Sequence, residues 1–534
     1  MQIGVYGVLN ESYLPRSDTN LSIYAPRHTL IIRVPSRPRE HSMAAKEIRR
    51  LLGIAALAAM ASTYSVASNQ SELPLFGTID TRVGQLEFRG GYPSKETIDE
   101  LYDEMDFQRA VQGYLWAIPL IGFAQWQEEH ENVFGAKDGD VVYYVSFLDK
   151  LGILTSNATT PYIIGFLNLS RTGPIVIDYP AGPTAGGLLD MWQRPISDLG
   201  LTGPDKGKGG KYLLLGPGQT VENSEGYTVV QSPMNNVFHA FRVLAPNPDE
   251  AKTLRESYKA YPYSQRDNPP TTRIVSPDGR PWSGEQPRGL DYWKLVAKMV
   301  NEEPVHERDR IMVAMLRPLG IEKGKPFQPD ERQRKILSEA TLVGEAMARN
   351  LSYAKRQEEA QLWPGTQWKN AVLLEADQET EHYTSLDERT AWFYEAVTLT
   401  AGMTTKTPGQ GQAYIGGQKD KDGNWLMGQH NYRLRVPPSA PVEQFWAMTL
   451  YDAETRCFIE NKHEKAGIDS RMDLVKNDDG SVDLYFGPEP PKGKESNWSP
   501  TVPGRGWFAY FRFYAPTEAY FDRSWGLPDI EKIN

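Results

Sequence analysis

Cysteine is almost missing from this chain: Cys457 stands alone among 534 residues. One thiol excludes an intramolecular disulfide and every zinc or iron–sulfur site built from several cysteines. Basic residues are also in deficit, 58 Lys and Arg against 68 Asp and Glu, a net charge of −10. A nucleic-acid binder usually shows the opposite sign, because phosphate neutralisation supplies most of its affinity. Histidine is scarce, and its eight positions (28, 41, 130, 239, 306, 382, 430 and 463) show no ligand spacing. No apolar run reaches the ~20 residues a membrane-spanning helix needs. What is plentiful is turn chemistry and aromatic surface: 46 Gly, 39 Pro, 13 Trp and 27 Tyr. A composition of 40% hydrophobic and 24% charged residues is that of a globular, β-rich protein with a sizeable core.

The clearest local feature begins at Met43. Lys46, Arg49 and Arg50 form a basic start, Leu51 to Ala61 an apolar run, and Ser65-Val66-Ala67 a small–x–small site. That order is the layout of a secretory signal peptide cleaved after Ala67. Residues 1–42 then read as a non-structural upstream segment. The expected compartment is the periplasm or the exterior, and a chain without paired cysteines is safe from internal disulfide scrambling there. Removing residues 1–67 takes away eight basic but only four acidic residues, so the acidic excess widens.

Beyond the signal, Ser94 can cap a helix in which Ile98, Leu101 and Met105 recur at helical spacing. The pattern predicts a helix to about Trp116, stopping near Pro119. From Val141 the grammar turns to short β-rich runs: 141–147, 162–169, 175–179, 212–215 and 227–231. Helices are predicted from Pro248, over 290–300 and 304–316, and after Pro329. In the last, Ile336, Ala340, Val343, Met347 and Leu351 make one apolar stripe. A further helix is predicted over 387–400. β grammar returns near Gln412, with strands at 432–436, 445–451, 482–486 and 507–513, and a hairpin signal at Asn477-Asp-Asp-Gly-Ser. The fold class is therefore mainly β with a helical middle segment, α+β. The expected division is 68–245 for an N-terminal helix plus β-domain, 246–410 for the helical middle, and 411–534 for a C-terminal β-domain.

Several motifs fail on their own chemistry. Lys206-Gly-Lys-Gly-Gly-Lys211 is followed by a strand, where a phosphate loop needs a helix N-terminus. His463-Glu464 lacks the second histidine of a zinc protease helix. Asp420-Lys-Asp-Gly-Asn has oxygen ligands at alternate positions but no closing acid, and reads as a turn. Ser352-Tyr-Ala-Lys355 matches a serine–lysine pattern without its companion motifs. No metal-ligand set, cofactor motif or catalytic residue emerges.

Two polar and aromatic clusters are the candidate ligand-binding residues. In the first, Asn157, Thr159 and Tyr162 can orient a polar ligand. In the second, Trp192 offers a stacking face and Arg194 a planar fork of donors for a carboxylate or phosphate, with Asp198 nearby. Both stretches also suit plain loop bracing.

At these clusters the chain resembles a known family. TSNATTPYIIGFLNLSRTGPIVIDYPAG, DMWQRPISDLGLTGPDKGKGGKYLLLGPG and VVQSPMNNVFHAFRVL look like the bacterial domain of unknown function 1254. FWAMTLYDAETRCFI, NDDGSVDLYFGPEPPKGKESNW and the stretch from TVPGRGWFAYFRFYAP onward look like its usual partner, domain of unknown function 1214. The resemblance covers nearly everything from about residue 75. It implies an exported protein with an immunoglobulin-like β-sandwich, a helical section and a C-terminal jelly-roll-like domain. It carries no established activity.

Three functions follow as expectations. The first is an exported protein binding a small polar or carbohydrate-like ligand between its β-domains. The second is a cell-envelope hydrolase, metal-assisted through acids such as Asp190 and Asp198. The third is an envelope assembly protein with β-edges open to partners. A small molecule is the expected partner, nucleic acid and a transmembrane segment in the mature chain are not, and self-association stays open.

Overall fold

The computed structural model describes residues 72–533, so the upstream segment and the signal peptide lie outside the described residues. The chain from Phe76 onward is one unit of mixed α+β architecture. It opens with a small antiparallel sheet, β1 (Phe76–Thr81), β2 (Gly84–Arg89) and β3 (Tyr92–Pro93). Helix α1 (Lys95–Asn132) follows, its N-terminus capped by the Ser94 hydroxyl, which accepts from the Thr97 amide at 3.2 Å.

Helix α1 does not stop at Pro119, as the sequence pattern predicts; it runs 38 residues, about 57 Å. Proline removes the donor for the carbonyl four residues back, here Leu115. A hydroxyl from a later helix, Thr390, donates to that carbonyl at 3.5 Å. The adjacent Tyr114 carbonyl receives the Tyr292 hydroxyl at 2.7 Å. Tertiary donors thus carry the helix through its proline.

The first β-lobe holds two sheets. The six-stranded one runs in the order β13 (Ile274–Val275), β4 (Val141–Tyr144), β5 (Tyr162–Asn168), β11 (Asn236–Val243), β7 (Thr184–Asp190) and β8 (Pro195–Gly200). The four-stranded one runs β10 (Thr228–Gln231), β9 (Gly210–Leu215), β6 (Ile175–Tyr179) and β12 (Lys259–Pro262). Short helices α2 (Leu169–Thr172) and α3 (Pro248–Ser257) sit in the connections. Alternation on β5 and β11 decides the layering. Ile163, Leu167, Val237 and Phe241 face the four-stranded sheet and pack on Ile177 and Leu214. Ile164, Phe166 and Phe238 face the other way, onto α1.

The helical layer comprises α1 with α4 (Leu290–Glu302), α5 (Arg310–Leu316), α6 (Glu331–Tyr353) and α7 (Leu386–Glu395). On its far side lies the C-terminal lobe. Its five-stranded sheet is ordered β14 (Lys369–Asn370), β15 (Gln412–Gly417), β21 (Trp507–Pro516), β17 (Val442–Asp452) and β18 (Gly467–Asp469). Its four-stranded sheet is β20 (Trp498–Pro500), β19 (Val482–Gly487), β16 (Asn431–Val436) and β22 (Glu531–Ile533). Met448, Leu450, Phe511 and Phe513 pack between these sheets with Leu434 and Leu484. Tyr451, Phe508 and Tyr510 point out of them, into the core of the helical layer. Asn477–Ser481 forms the expected tight turn, its amide and carbonyl 2.9 Å apart, but β19 pairs with β16 and β20, so the turn closes no hairpin.

The stripe predicted on α6 is rotated. Met347 is exposed, while Leu337, Ala340, Thr341, Gly344 and Ala348 are buried. The reason is the closeness of α1: a Cβ at Gly344 would lie 2.5 Å from the Tyr114 ring. Small residues, rather than large apolar ones, mark this contact.

Candidate functional site

Asn157, Thr159 and Tyr162 do come together, and what they meet is the C-terminal lobe. Asn157 Oδ1 accepts from the Thr159 amide and hydroxyl at 2.7 and 2.6 Å, a local turn. Its amide side chain donates to Tyr514 Oη at 2.9 Å, and its backbone donates to Tyr162 Oη at 2.7 Å. Arg512 and Tyr451 donate to the Thr155 and Ser156 carbonyls at 2.9 and 2.6 Å. These bonds clasp the two lobes together.

Trp192 and Arg194 lie on the turn from β7 to β8. Gln193 at its centre has φ of 63° and is buried; its side chain donates to the Pro119 carbonyl at 2.7 Å and accepts from the Thr398 amide at 2.6 Å. Those anchors hold the Trp192 ring 4.7 Å from Trp116 and 5.0 Å from the Arg389 guanidinium. Arg194 donates to Glu379 at 2.7 Å. Asp198 is not part of this group: it sits on β8 opposite Gly187, half-buried, with its carboxyl beside Thr202.

Asp190 closes the turn, accepting from the Arg194 amide at 2.9 Å. Burial raises its carboxyl from 3.8 to about 6, although that amide and Arg308 oppose the shift. Because the folded value is the higher one, ionisation opposes folding. The penalty is absent below the unfolded value and complete above about 6, at most about 3 kcal/mol. Stability from this group therefore rises as pH falls from 7 to 4. Urea midpoints should show the wild type gaining on Asp190→Asn over that range; parallel pH profiles would contradict the assignment.

A cavity of about 810 Å³ opens elsewhere, between α6 and the C-terminal lobe. The helix contributes Arg349, Asn350 and Tyr353; the lobe contributes Trp425, Trp507 and Phe508 as its aromatic wall. Trp425 is half-exposed, with the Lys419 ammonium 4.6 Å over its ring. The Trp507 indole N–H is buried without a partner among the described residues. Charged pairs line the rim. Arg349 and Arg288 donate to Glu454 at 2.9 and 2.6 Å, and Arg505 to Asp452 at 2.8 Å. The Arg349 contact is the main cause holding the Glu454 carboxyl below its ordinary range.

Sequence reasoning missed this cavity, whose walls come from segments near 350, 425, 453 and 506. Trp425 beside a turn was its one visible trace. That turn is the Asp420 motif: Asp420 Oδ1 accepts from the Asp422 and Asn424 amides at 3.0 and 2.9 Å. Among the described residues no group of three or more His, Cys, Asp or Glu is placed to hold a metal. Nor is any described helix long and apolar enough to cross a membrane. Cys457 is buried, which pushes its thiol far up and leaves it unreactive.

The architecture defines a two-lobed protein in which paired β-sheets flank a helical layer. Residues 140–262 match the family described as protein of unknown function DUF1254, and residues 411–518 match protein of unknown function DUF1214. The chain thus carries both halves of the pairing its sequence resembles, in the expected order. No curated protein matches it. The crystal structure of the VPA0106 protein from Vibrio parahaemolyticus is similar at 16% identity and TM-score 0.50, covering 80% of this chain and all of that one. An uncharacterised protein from Burkholderia cenocepacia is similar at 10% identity and TM-score 0.35, over 82% of this chain and 96% of its own. The Vibrio structure supports the fold alone.

Proposed function

We propose that this chain is an exported binding protein that takes a small carbohydrate-like ligand into the cavity between α6 and the C-terminal lobe. The observation that carries the reading is the half-exposed Trp425 on the wall of an 810 Å³ cavity whose rim is polar. A flat aromatic face beside hydrogen-bonding groups suits a sugar, with C–H bonds on the ring and hydroxyls at the rim. The volume is in the range of small-molecule sites, ~300–1,000 Å³. Within this cavity Glu454, held ionised by Arg349 and Arg288, is a poor proton donor, which favours binding over acid catalysis there. In the same reading, residues 68–245 and 411–534 are an immunoglobulin-like sandwich and a jelly-roll-like domain around a helical section, 246–410. The basic, apolar and small-residue segments in 43–67 support export.

The test is tryptophan fluorescence titration of the full chain with a panel of mono- and oligosaccharides. At least one sugar should quench with saturation. Trp425→Ala should weaken that sugar by about tenfold or more, about 1.4 kcal/mol, at unchanged melting temperature. Equal affinity in the variant, or no saturable sugar in the panel, would sink the proposal.

A further inference from the structure

Arg389, in the first turn of α7, is 4% exposed; its Nε is buried without a partner, and its guanidinium makes no ion pair among the described residues. Its neighbour is the face of Trp192. A guanidinium carries five N–H donors and stays charged at any physiological pH. Leaving one buried and unanswered is strongly unfavourable, so the native state calls for an acceptor at this point.

The carboxylates nearby are turned elsewhere. Glu379 accepts from Arg194 and from the Thr384 hydroxyl, each at 2.7 Å. Asp309 accepts the Trp116 indole N–H at 3.3 Å and stands 3.4 Å from Arg308. Asp190 holds the Arg194 amide, with Arg308 at 4.0 Å. Arg194 and Arg308 add their positive fields to that of Arg389. Asp309 and Asp190 offset part of that field, but of the three guanidinium groups around the Trp192 turn Arg389 is the one with no carboxylate within ion-pair distance among the described residues.

Unpartnered atoms gather at the same place. Of thirteen buried polar side-chain atoms without a partner among the described residues, four belong here: Arg389 Nε, Arg194 Nε, His306 Nε2 and Gln378 Oε1. Gln378 is tied to the turn by its other atom, donating to the Trp192 carbonyl at 2.8 Å. His306 lies in the field of Arg308, Asp309 and Arg194. Arg308 and Glu379, each about a third exposed, lead from this cluster to solvent.

We propose that Arg389, Arg194, Arg308 and Trp192 form a site for a small oxyanion, separate from the cavity on α6. The planar fork of Arg389 matches two oxygens of a carboxylate or phosphate, and the Trp192 ring 5.0 Å away backs it on one side. Gln378 Oε1, an acceptor among donors, suits the O–H of a hydroxy acid or of a hydrogen phosphate. The site does not depend on the sugar reading, since the two share no residue.

The experiment is thermal melting and calorimetric titration of the full chain with sodium phosphate, acetate and glycolate, each against sodium chloride of equal ionic strength. At least one oxyanion should raise the melting temperature with saturation and bind at one per chain. A response to phosphate alone, or to the carboxylates alone, identifies the ligand's head group. Arg389→Met should lose the response and melt no lower than wild type in chloride, because an unanswered buried charge has been removed. Arg308→Gln, nearer the surface, should weaken binding at least fivefold without altering the melt in chloride. Trp425→Ala should respond like wild type. The proposal is overturned if no oxyanion acts on the wild type. It is equally overturned if Arg389→Met responds like wild type or, should that variant not fold, if Arg308→Gln binds with wild-type affinity.

Discussion

Replacing Glu395 with Ala is expected to destabilise the protein by about 3–5 kcal/mol, the usual result of removing one partner from a buried ion pair. Glu395 ends α7 and is wholly buried. One carboxylate oxygen accepts from Tyr510 Oη at 2.5 Å and faces Lys355 Nζ at 3.4 Å. The other accepts from Ser352 Oγ at 2.7 Å. The Lys355 side chain, 2% exposed, has one further contact, the Ser352 carbonyl at 3.0 Å. Three elements, α6, α7 and β21, thus meet on one carboxylate. Without it an ammonium stays buried with a single acceptor. Lys355→Met in the Glu395→Ala background should therefore recover much of the loss, because the remaining charge leaves with it. Urea equilibrium curves on the wild type, both single variants and the double variant complete the cycle. A loss under about 1 kcal/mol for Glu395→Ala would show that water reaches the lysine and that the pair is not a structural tie. The same geometry disposes of the serine–lysine motif. Ser352 gives its proton to Glu395, not to Lys355, and all three groups are closed to a substrate.

Local rules made the β–α–β plan legible, and they failed where distant chain supplied the missing chemistry. Strands such as Ile175–Tyr179 and Val482–Gly487 are read correctly because their residues favour a pleated surface and breakers bound them. Strand β7 is missed because it holds Ala185-Gly186-Gly187, which reads as a loop. Gly186 is there for space: a Cβ on it would lie 2.4 Å from the Ala240 carbonyl of the neighbouring strand. Proline at 119 and the rotated face of α6 share one cause. In both, another helix comes close enough to replace a hydrogen bond or to forbid a large side chain. The candidate residues were split in the same way. Asn157 and Tyr162 were recognisable as a polar cluster, yet their partner Tyr514 lies more than three hundred residues on. Trp192 and Arg194 were recognisable, whereas Arg389, which makes that turn chemically unusual, carried no local mark at all.

Trp293→Ala should be the severest truncation of an aromatic side chain in the helical layer, with an expected loss of about 3–5 kcal/mol. The side chain is fully buried on α4. Its indole N–H reaches both the Leu337 carbonyl and the Thr341 hydroxyl of α6 at 2.9 Å. On its other side a Cβ on Gly113 of α1 would lie 3.6 Å from its ring, and Tyr292 stands edge-on to it at 5.5 Å. Truncation leaves a void bounded by three helices, which backbone this constrained cannot close. Trp293→Phe keeps most of the volume and loses the two acceptors' shared donor, so its loss should be smaller. How the loss is distributed tests the architecture. The apolar cluster around Trp293 continues without a break from Phe166 and Phe238 of the first lobe to Phe508 and Tyr510 of the last. Melting should therefore lower one calorimetric transition for the whole chain, rather than release an early transition belonging to the helices. A split thermogram in Trp293→Ala would mean that the lobes hold together without the layer between them. The clasp from Asn157 to Tyr514 would then be the stronger bond between the two halves.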